Sequence, residues 1–539
     1  MSRGYARIVL SGGFREGALQ SRSLLNRTAE GDFRYDLFMA RVDWILRHRR
    51  ISRVLVEYRE DFAPRLFGGA EAVRRQLQRL REDGRELYFA SSDLDELGLY
   101  ISSVAQHRIL HPTSTVHFRG FARSFSFAKS RLEREGVAAR VYRRGQYKSA
   151  GDLFRSEHLE EPTRREYEEY LATVDDVLTN AIAHGFGKSV EEIRELRRRA
   201  PLMNEAAREA GFCDELRSVE DLRDEWKKAK LREKKPRRLR QDFGRGPRVA
   251  VVVLEGTITP GQSRRLPLMG QGLGSRSTVE MLESLRRNKG VKAALIRVNS
   301  PGGSAIASDE IRNALARLAA EKPLFVSMSE VAGSGGYWIS TVGTALFAEE
   351  TTLTGSIGVI SLSFDISRRL EREGLSIEAV RTDPYADFGA AYRPASEEER
   401  AIADEQVDQY YRAFLRKVAE FRGTDSEAIH EHAQGRVWSG RDALRVGLVD
   451  RIGGLQETLE AAREELGAKR LRVSFYPRPR MSPLQRLIAG NVAASLERGG
   501  LAGLSGAGSL APGQLLRSLS ALAAKPLALI PELWDIWRD

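Results

Sequence analysis

A serine and a lysine in distant parts of the sequence could form a catalytic pair. Ser334 stands between glycines at the start of a predicted helix, where it is either a nucleophile or an ordinary helix N-cap. A serine nucleophile needs a base, and the histidines that follow it, His430 and His432, fall on a predicted surface helix. Lysine can take that role once desolvation lowers its pKa from about 10.4 toward about 7 to 8. Lys148 is the candidate, with a solvated side chain as its alternative.

A second glycine-bearing loop could stabilise the charge that develops during acyl transfer. Arg297-Val-Asn-Ser-Pro-Gly-Gly-Ser304 runs from a predicted strand into a predicted helix. Gly302 and Gly303 have no Cβ, so their amides can approach a substrate carbonyl closely. Pro-Gly-Gly is also an ordinary tight turn, and the motif alone does not separate the two roles.

The two halves of the chain form a long tandem repeat that divides the candidate pair. The hexapeptide R-L-E-R-E-G begins at Arg131 and again at Arg369, an offset of 238 residues. At this offset Glu96 takes the place of the serine in the first copy, and Ala386 takes the place of the lysine in the second. A period this long is that of a whole domain. The asymmetry predicts one composite active site, assembled where the two copies meet.

Short β-branched runs alternate with longer helical patterns in both copies. This alternation predicts an α/β fold with a mainly parallel core. The predicted division of the chain is 1–225 for the N-terminal repeat with the lysine, 226–248 for a basic linker, 249–475 for the C-terminal repeat with the serine, and 476–539 for an amphipathic C-terminal extension.

The net charge of +12 is concentrated in the linker, because residues 227–248 hold eleven basic and two acidic side chains. We interpret this run as a solvated connector, with contact to an anionic membrane surface as the second interpretation. Nucleic-acid binding comes last, because no basic face interleaved with aromatic residues accompanies the run. The single cysteine, Cys213, excludes an internal disulfide and is expected to be a buried apolar residue. The sequence contains neither a P-loop nor a histidine-carboxylate cluster at ligand spacing, so no nucleotide or metal cofactor is indicated.

The ends of the sequence bear on membrane attachment. The first predicted strand begins at about Tyr5, which leaves no room for a signal peptide or anchor ahead of it. No run reaches the roughly 20 apolar residues of a spanning helix. The tail combines apolar, basic and Trp residues, a composition that fits interfacial helices and helices packed on a sister subunit equally well.

These motifs resemble, in this order, those of the long, two-domain members of the signal peptide peptidase A (SppA) family. These are membrane-associated bacterial serine/lysine peptidases related in fold to the Clp protease and crotonase group. The resemblance runs from about Ala6 to Leu459. It rests on four blocks: Gly145-Gln-Tyr-Lys-Ser-Ala150, Arg297-Val-Asn-Ser-Pro-Gly-Gly-Ser304, Ser334-Gly-Gly-Tyr-Trp338 and Leu353-Thr-Gly-Ser-Ile-Gly-Val359. It implies tandem duplicated Clp/crotonase-like domains.

The resemblance also implies roles for residues. Ser334 would be the nucleophile, Lys148 the general base, and Ser356 a hydrogen-bond partner of the lysine amine. Amides of the Gly302-Gly303 turn, with that of Gly335, would form the oxyanion hole. No metal or other cofactor is implied.

Substrates, assembly and compartment follow from the same resemblance. The family cleaves remnant signal peptides and other apolar peptides at the membrane and forms a homotetramer. The expected location is the bacterial cell envelope with peripheral membrane contact, or the cytoplasm if the start of the sequence is the true one. The rivals are a crotonase-like acyl-CoA enzyme, which would need acidic catalytic residues near the second loop, and a noncatalytic membrane scaffold. A scaffold has no use for Ser334, Lys148 and Ser356 together.

Overall fold

The computed structural model describes residues 4–18, 32–266 and 270–478, and the backbone of Leu527–Ala528. Within these ranges strands alternate with helices in both copies, so the predicted α/β fold is confirmed. Apart from 476–478 and the short strand at Leu527–Ala528, the predicted C-terminal extension lies outside the described residues.

The first copy supplies ten strands and nine helices among the described residues. In chain order they are β1 (Gly4–Leu10), β2 (Phe14–Arg15), β3 (Phe33–Arg34), α1 (Tyr35–Arg47), β4 (Ile51–Tyr58), α2 (Gly68–Glu82), β5 (Glu86–Ser91), α3 (Glu96–Ser102), β6 (His107–Leu110), β7 (Thr115–Val116), α4 (Lys129–Arg134), β8 (Ala138–Arg144), α5 (Asp152–Arg155), α6 (Glu161–Phe186), α7 (Val190–Arg198), β9 (Leu202–Met203), α8 (Asn204–Glu209), β10 (Glu215–Leu216) and α9 (Val219–Lys228).

The predicted linker and the second copy follow. In chain order their elements are β11 (Arg232–Glu233), β12 (Asp242–Gly244), β13 (Arg248–Glu255), β14 (Thr257–Thr259), β15 (Arg265–Leu266), β16 (Gly270–Gly274), α10 (Ser275–Arg287), β17 (Val291–Ser300), β18 (Gly303–Ser304), α11 (Ala305–Ala319), β19 (Leu324–Gly333), α12 (Gly335–Ser340), β20 (Ala345–Ala348), β21 (Leu353–Gly355), β22 (Val359–Asp365), α13 (Ser367–Arg372), α14 (Glu397–Arg422), α15 (Ser426–His432), β23 (Val437–Trp438), α16 (Gly440–Arg445), β24 (Arg451–Ile452), α17 (Leu455–Glu465), β25 (Arg472–Tyr476) and β26 (Leu527–Ala528).

Each copy is built on a largely parallel sheet. In the first copy the strand order is β10-β6-β5-β4-β1-β11, and every neighbouring pair is parallel. In the second copy the order is β12-β25-β13-β17-β19-β20-β24. Two segments of the predicted linker, β11 and β12, are therefore edge strands of these two sheets.

The central strands of the second copy are buried on both faces. In β13, Val249, Val251 and Val253 belong to a core shared with the first copy, whereas Val252 and Leu254 face the second copy's own helices. Burial on both faces explains why this strand reads as an uninterrupted apolar run. The interface between the copies is thus part of a continuous hydrophobic core.

A third sheet joins the two copies. Its order is β15-β16-β14-β18-β26-β22-β8, in which only β8 comes from the first copy. β8 and β22 form an antiparallel ribbon that pairs Val359 with Arg144 at one end and Asp365 with Ala138 at the other. This ribbon brings the end of β8, from the first copy, close to the loop around Ser334 in the second copy.

The repeated hexapeptides lie against each other. The amide of Arg369 donates to the carbonyl of Gly136 at 3.1 Å. The Arg372 guanidinium donates to the carbonyl of Arg134 at 2.6 Å. The two helices that carry the hexapeptides, α4 and α13, therefore flank the ribbon side by side.

Candidate active site

Ser334 occupies a sharp turn between β19 and α12. Its backbone has φ 53° and ψ −117°, a conformation that non-glycine residues rarely adopt. The turn is held by the Ser334 amide, which donates to Gly355 O at 2.8 Å. The Ser334 side chain forms no cap hydrogen bond with α12, so the N-cap alternative is wrong. A strained strand-turn-helix connection is the geometry that presents a nucleophilic serine in hydrolases.

The lysine of the first copy reaches this serine. Lys148 Nζ lies 2.8 Å from Ser334 Oγ, 3.0 Å from Ser356 Oγ and 3.1 Å from Ser356 O. All three side chains are buried, none more than 1% exposed. The structure therefore brings together the three side chains that the sequence singled out.

Two glycines allow the loop that carries Lys148, residues 145–150 (the lysine loop), to pack closely against the second copy. A Cβ on Gly145 would lie 2.1 Å from the carbonyl atoms of Gln434, and Gly145 has φ 102°. A Cβ on Gly435 would lie 2.6 Å from Lys148 N, and Gly435 has φ 82°. Side chains at either position would force the two backbones apart. The backbones are also bonded, because Tyr147 N donates to Gln434 O at 3.0 Å.

An ion-pair cluster fixes the end of β8 on the second copy. The Arg144 guanidinium donates to both carboxylate oxygens of Asp404, one of them at 2.6 Å, and to Asp408 at 3.0 Å. These hydrogen bonds lower the pKa of Asp404 and raise that of Arg144. Because Arg144 precedes Lys148 by four residues, the cluster anchors the lysine loop to α14.

The predicted oxyanion loop lies against the serine turn. A Cβ on Gly335 would lie 3.2 Å from both Gly302 Cα and Gly303 N, so the two turns are in close contact. Gly302 N donates to Ser300 Oγ at 3.2 Å, and Gly302 O accepts from Ile258 N at 2.8 Å. The three glycines named from the sequence thus lie at the contact between the two turns.

A buried carboxyl group, which the sequence reasoning missed, connects the oxyanion loop with the serine turn. Glu330 Oε2 accepts from Asn299 Nδ2 at 3.2 Å, and Glu330 Oε1 accepts from the amide of Leu66 in the first copy at 2.9 Å. Asn299 Oδ1 accepts from Val331 N at 3.2 Å. Burial raises the pKa of Glu330 to about 7.

Near the Asn299–Glu330 contact, Arg297 forms a buried ion pair. Arg297 Nη2 is 3.0 Å from Glu16 Oε1, and both side chains are fully buried. Arg297 also donates to the hydroxyls of Ser327 and Ser329 on β19. Arg297 and Glu330 are charged residues within buried strands. Because buried charged side chains usually have partners, this position was the signal in the sequence that could have pointed to both contacts.

The two histidines considered as bases, His430 and His432, lie on α15. The Nδ1 of His430 is 2.9 Å from the hydroxyl of Tyr411. Among the described residues, no three His, Cys, Asp or Glu side chains are grouped to hold a metal ion. The helices within the same ranges fall short of the length and apolar character that crossing a bilayer requires.

Comparison with known proteins follows the same two-copy division. A family model described as peptidase family S49 matches the chain twice, over residues 79–232 and 316–469. The chain belongs to peptidase family S49. The two S49 matches begin 237 residues apart, which agrees with the offset of the repeat.

Relatives within family S49 match most of the chain. "Serine protease SPPA, chloroplastic" of Arabidopsis thaliana is 30% identical over 420 residues, which cover 74% of this chain and 61% of the relative. "Protease 4" of Salmonella typhi is 29% identical over 424 residues, 75% of this chain and 68% of the relative. This chain therefore spans roughly two thirds of the length of these relatives.

Shorter matches agree with these relatives. "Putative signal peptide peptidase SppA" of Enterococcus faecium is 36% identical over 185 residues, 34% of this chain and 54% of the relative. S49 membership and the names of the relatives support a serine-type endopeptidase.

Proposed function

We propose that this S49 member is a serine endopeptidase in which Ser334 is the nucleophile and Lys148 the general base. The observation that carries the proposal is the 2.8 Å contact between Lys148 Nζ and Ser334 Oγ, made between the two copies of one chain. A neutral amine has two N–H groups and one lone pair. It can donate to both oxygens of Ser356 and accept the hydroxyl proton of Ser334, and burial favours this uncharged form.

The proposed reaction proceeds through an acyl-enzyme. Ser334 Oγ bonds to the peptide carbonyl carbon as its proton moves to Lys148 Nζ, and the amides of Gly303 and Gly335 stabilise the oxyanion. The Gly302 amide, predicted to join them, donates instead to Ser300 Oγ. The C–N bond then breaks, and the leaving amine takes the proton from Lys148. Water, deprotonated by the same amine, hydrolyses the ester and frees Ser334.

The third sheet supports binding of the peptide in an extended form. The backbone of β26 lies between β18 and β22 and is antiparallel to both, with Ala528 opposite Gly303 and Leu527 opposite Ile360. An extended segment therefore fits beside the proposed oxyanion loop, as in strand-addition modes of peptide recognition.

The substrates and setting of the proposal come from the family. We propose remnant signal peptides and other apolar peptides as substrates, by analogy with the relative named a signal peptide peptidase. The proposed assembly is a homotetramer, in peripheral contact with a membrane of the bacterial cell envelope.

The test is hydrolysis of signal-peptide-like and polar control peptides by purified variants. Ser334→Ala and Lys148→Met should each lower kcat/KM at least about 10³-fold, because each removes an atom that the proposed chemistry uses. Ser356→Ala should lower it only about tenfold, as expected for the loss of one hydrogen bond.

Matched substitutions outside the site provide the controls. Ser130→Ala and Lys129→Met, both on α4, remove the same side-chain types and should leave activity unchanged. Full activity in folded Lys148→Met would overturn the mechanism. Equal cleavage of the polar peptides would overturn only the substrate class.

A further inference from the structure

A short backbone segment of the second copy, residues 434–436 (the clamp), contacts both loops that surround the proposed base. The carbonyl of Gln434 accepts from Tyr147 N, beside the base, at 3.0 Å. The carbonyl of Arg436 accepts from Ser356 N at 2.7 Å. One segment therefore determines where the base and the hydroxyl that orients it lie relative to each other.

The middle of the clamp packs directly on the backbone of the base. A Cβ on Gly435 would lie 2.7 Å from Lys148 Cβ, so the two chains are in close contact. The Gly435 amide donates to Ile357 O, next to the Ser356 turn, at 2.8 Å. A shift of the clamp would thus move the lysine and the serine turn apart.

The first residue of the clamp has a strained backbone. Gln434 has φ 54°, a left-handed conformation that residues with a side chain rarely adopt. Its amide donates to the hydroxyl of Tyr411, on α14, at 3.2 Å. A strained backbone persists where its surroundings hold it. The Tyr411 hydroxyl is such a support, because it binds the strained residue itself.

The Tyr411 hydroxyl can bind two neighbours at once. A phenol hydroxyl is both a donor and an acceptor. It accepts from Gln434 N, and it donates to His430 Nδ1, 2.9 Å away, in the tautomer whose proton is on Nε2. The side chain is 5% exposed, and burial raises the pKa of Tyr411 to about 12. The hydroxyl therefore keeps its proton at neutral pH.

The first copy has a different pair at the equivalent positions. The helices α6 and α14 are both followed by a left-handed glycine, Gly187 and Gly423 respectively, so position 411 corresponds to Asp175 at this offset of 236 residues. Asp175 pairs with Arg197 at 2.6 Å. Of the two copies, the one that receives the lysine loop is thus the one with the tyrosine.

We propose that Tyr411 is a positioning residue for the general base: its hydroxyl holds Gln434 in the left-handed conformation, and the clamp thereby fixes Lys148. This inference rests on the proposed function, in which Lys148 takes the proton of Ser334. Without the hydroxyl the clamp relaxes, and the amine is less often within hydrogen-bond distance of the serine. The proposed peptide site between β18 and β22 is unaffected, so the loss falls on kcat and not on KM.

Removal of one hydroxyl tests the proposal. Tyr411→Phe keeps the ring in the hydrophobic core of the second copy. It should lower kcat about tenfold and leave KM within about twofold, because one hydrogen bond is lost and no substrate contact is. Tyr410→Phe removes the same group from the neighbouring, half-buried residue of α14 and should change neither constant.

The backbone of Gln434 provides a second, independent test. Gln434→Val should lower kcat as Tyr411→Phe does, because a β-branched residue disfavours a positive φ. Glycine adopts this conformation without strain. Adding Gln434→Gly to Tyr411→Phe should therefore raise kcat at least about threefold over Tyr411→Phe alone. A loss of packing around the ring would not be rescued in this way.

The outcomes separate this inference from the proposed function. Unchanged kcat in folded Tyr411→Phe, with Lys148→Met inactive, overturns the positioning role and leaves the dyad in place. An equal loss in Tyr410→Phe, or a loss that appears in KM, overturns it as well. If Tyr411→Phe does not fold, unchanged kcat in Gln434→Val overturns the role of the clamp. Full activity in folded Lys148→Met would instead overturn the proposed function.

Discussion

At the scale of single residues, the site depends on a strained serine and a buried amine. The φ of 53° at Ser334 costs on the order of 1–3 kcal/mol, and it persists because the flanking strand and helix determine the turn. Ser356 also has a positive φ, 49°, so both hydroxyls that contact Lys148 come from turns of restricted geometry. We infer that these fixed hydroxyls orient the lysine amine.

The single cysteine gives a residue-scale prediction that is independent of the mechanism. Cys213 is 4% exposed, and burial raises the pKa of its thiol to about 11. Because the thiolate is the reactive form, Cys213 should react with a thiol reagent at pH 8 far more slowly in the native protein than after unfolding. Colorimetric thiol titration measures both rates. Equal rates would contradict the buried position.

At the scale of elements, the ends of β17 and β19 must be held together for the two loops to face one substrate. Asn299 and Glu330 stand near these ends, four or fewer residues before Gly302 and Ser334 respectively. Their side chains connect the loops directly, and Leu66 adds a contact from the first copy. The elements themselves were predictable, because buried apolar runs and helical periodicity are local patterns. The Asn299–Glu330 contact was not, because it depends on which strands become neighbours.

Exchanging donor and acceptor tests this contact. In Glu330→Gln, the one remaining side-chain oxygen must accept from both Asn299 and Leu66. In Asn299→Asp, two carboxyl groups face each other. Each single variant should therefore lower kcat/KM about 10- to 100-fold. In the double variant, the amide introduced at position 330 can donate to the new carboxylate at position 299, while its oxygen still accepts from Leu66 N. Most of the activity should return. A double variant as impaired as the product of the two single effects would contradict the positioning role.

At the scale of the whole molecule, duplication followed by loss explains the composite site. Residue types at equivalent positions of the repeat predicted that the serine and the lysine belong to one site, and the structure places them 2.8 Å apart. Their catalytic roles stay predictions. The sequence could not reveal that β11 and β12 of the linker are edge strands, one in each of the two sheets. Edge pairing of two or three residues leaves no periodic pattern.

The composite site within one chain predicts the behaviour of mixed assemblies. Co-expressed Ser334→Ala and Lys148→Met chains, purified through different tags on each, should show no hydrolysis, because every chain lacks one half of its own dyad. A site formed between chains would instead recover activity in a fraction of the mixed oligomers. Recovery of activity in verified mixed oligomers would therefore contradict an intrachain dyad.

The most direct measurement is mass spectrometry of the intact protein and its peptides after treatment with a serine-reactive phosphonate. The proposed dyad predicts one adduct, on Ser334, that forms in the native wild type and does not form when the protein is unfolded before treatment. It also predicts that labelling becomes far slower in Lys148→Met, whereas Lys129→Met labels like the wild type. An adduct on another serine, or unchanged labelling of Ser334 in folded Lys148→Met, would contradict a Ser334–Lys148 dyad.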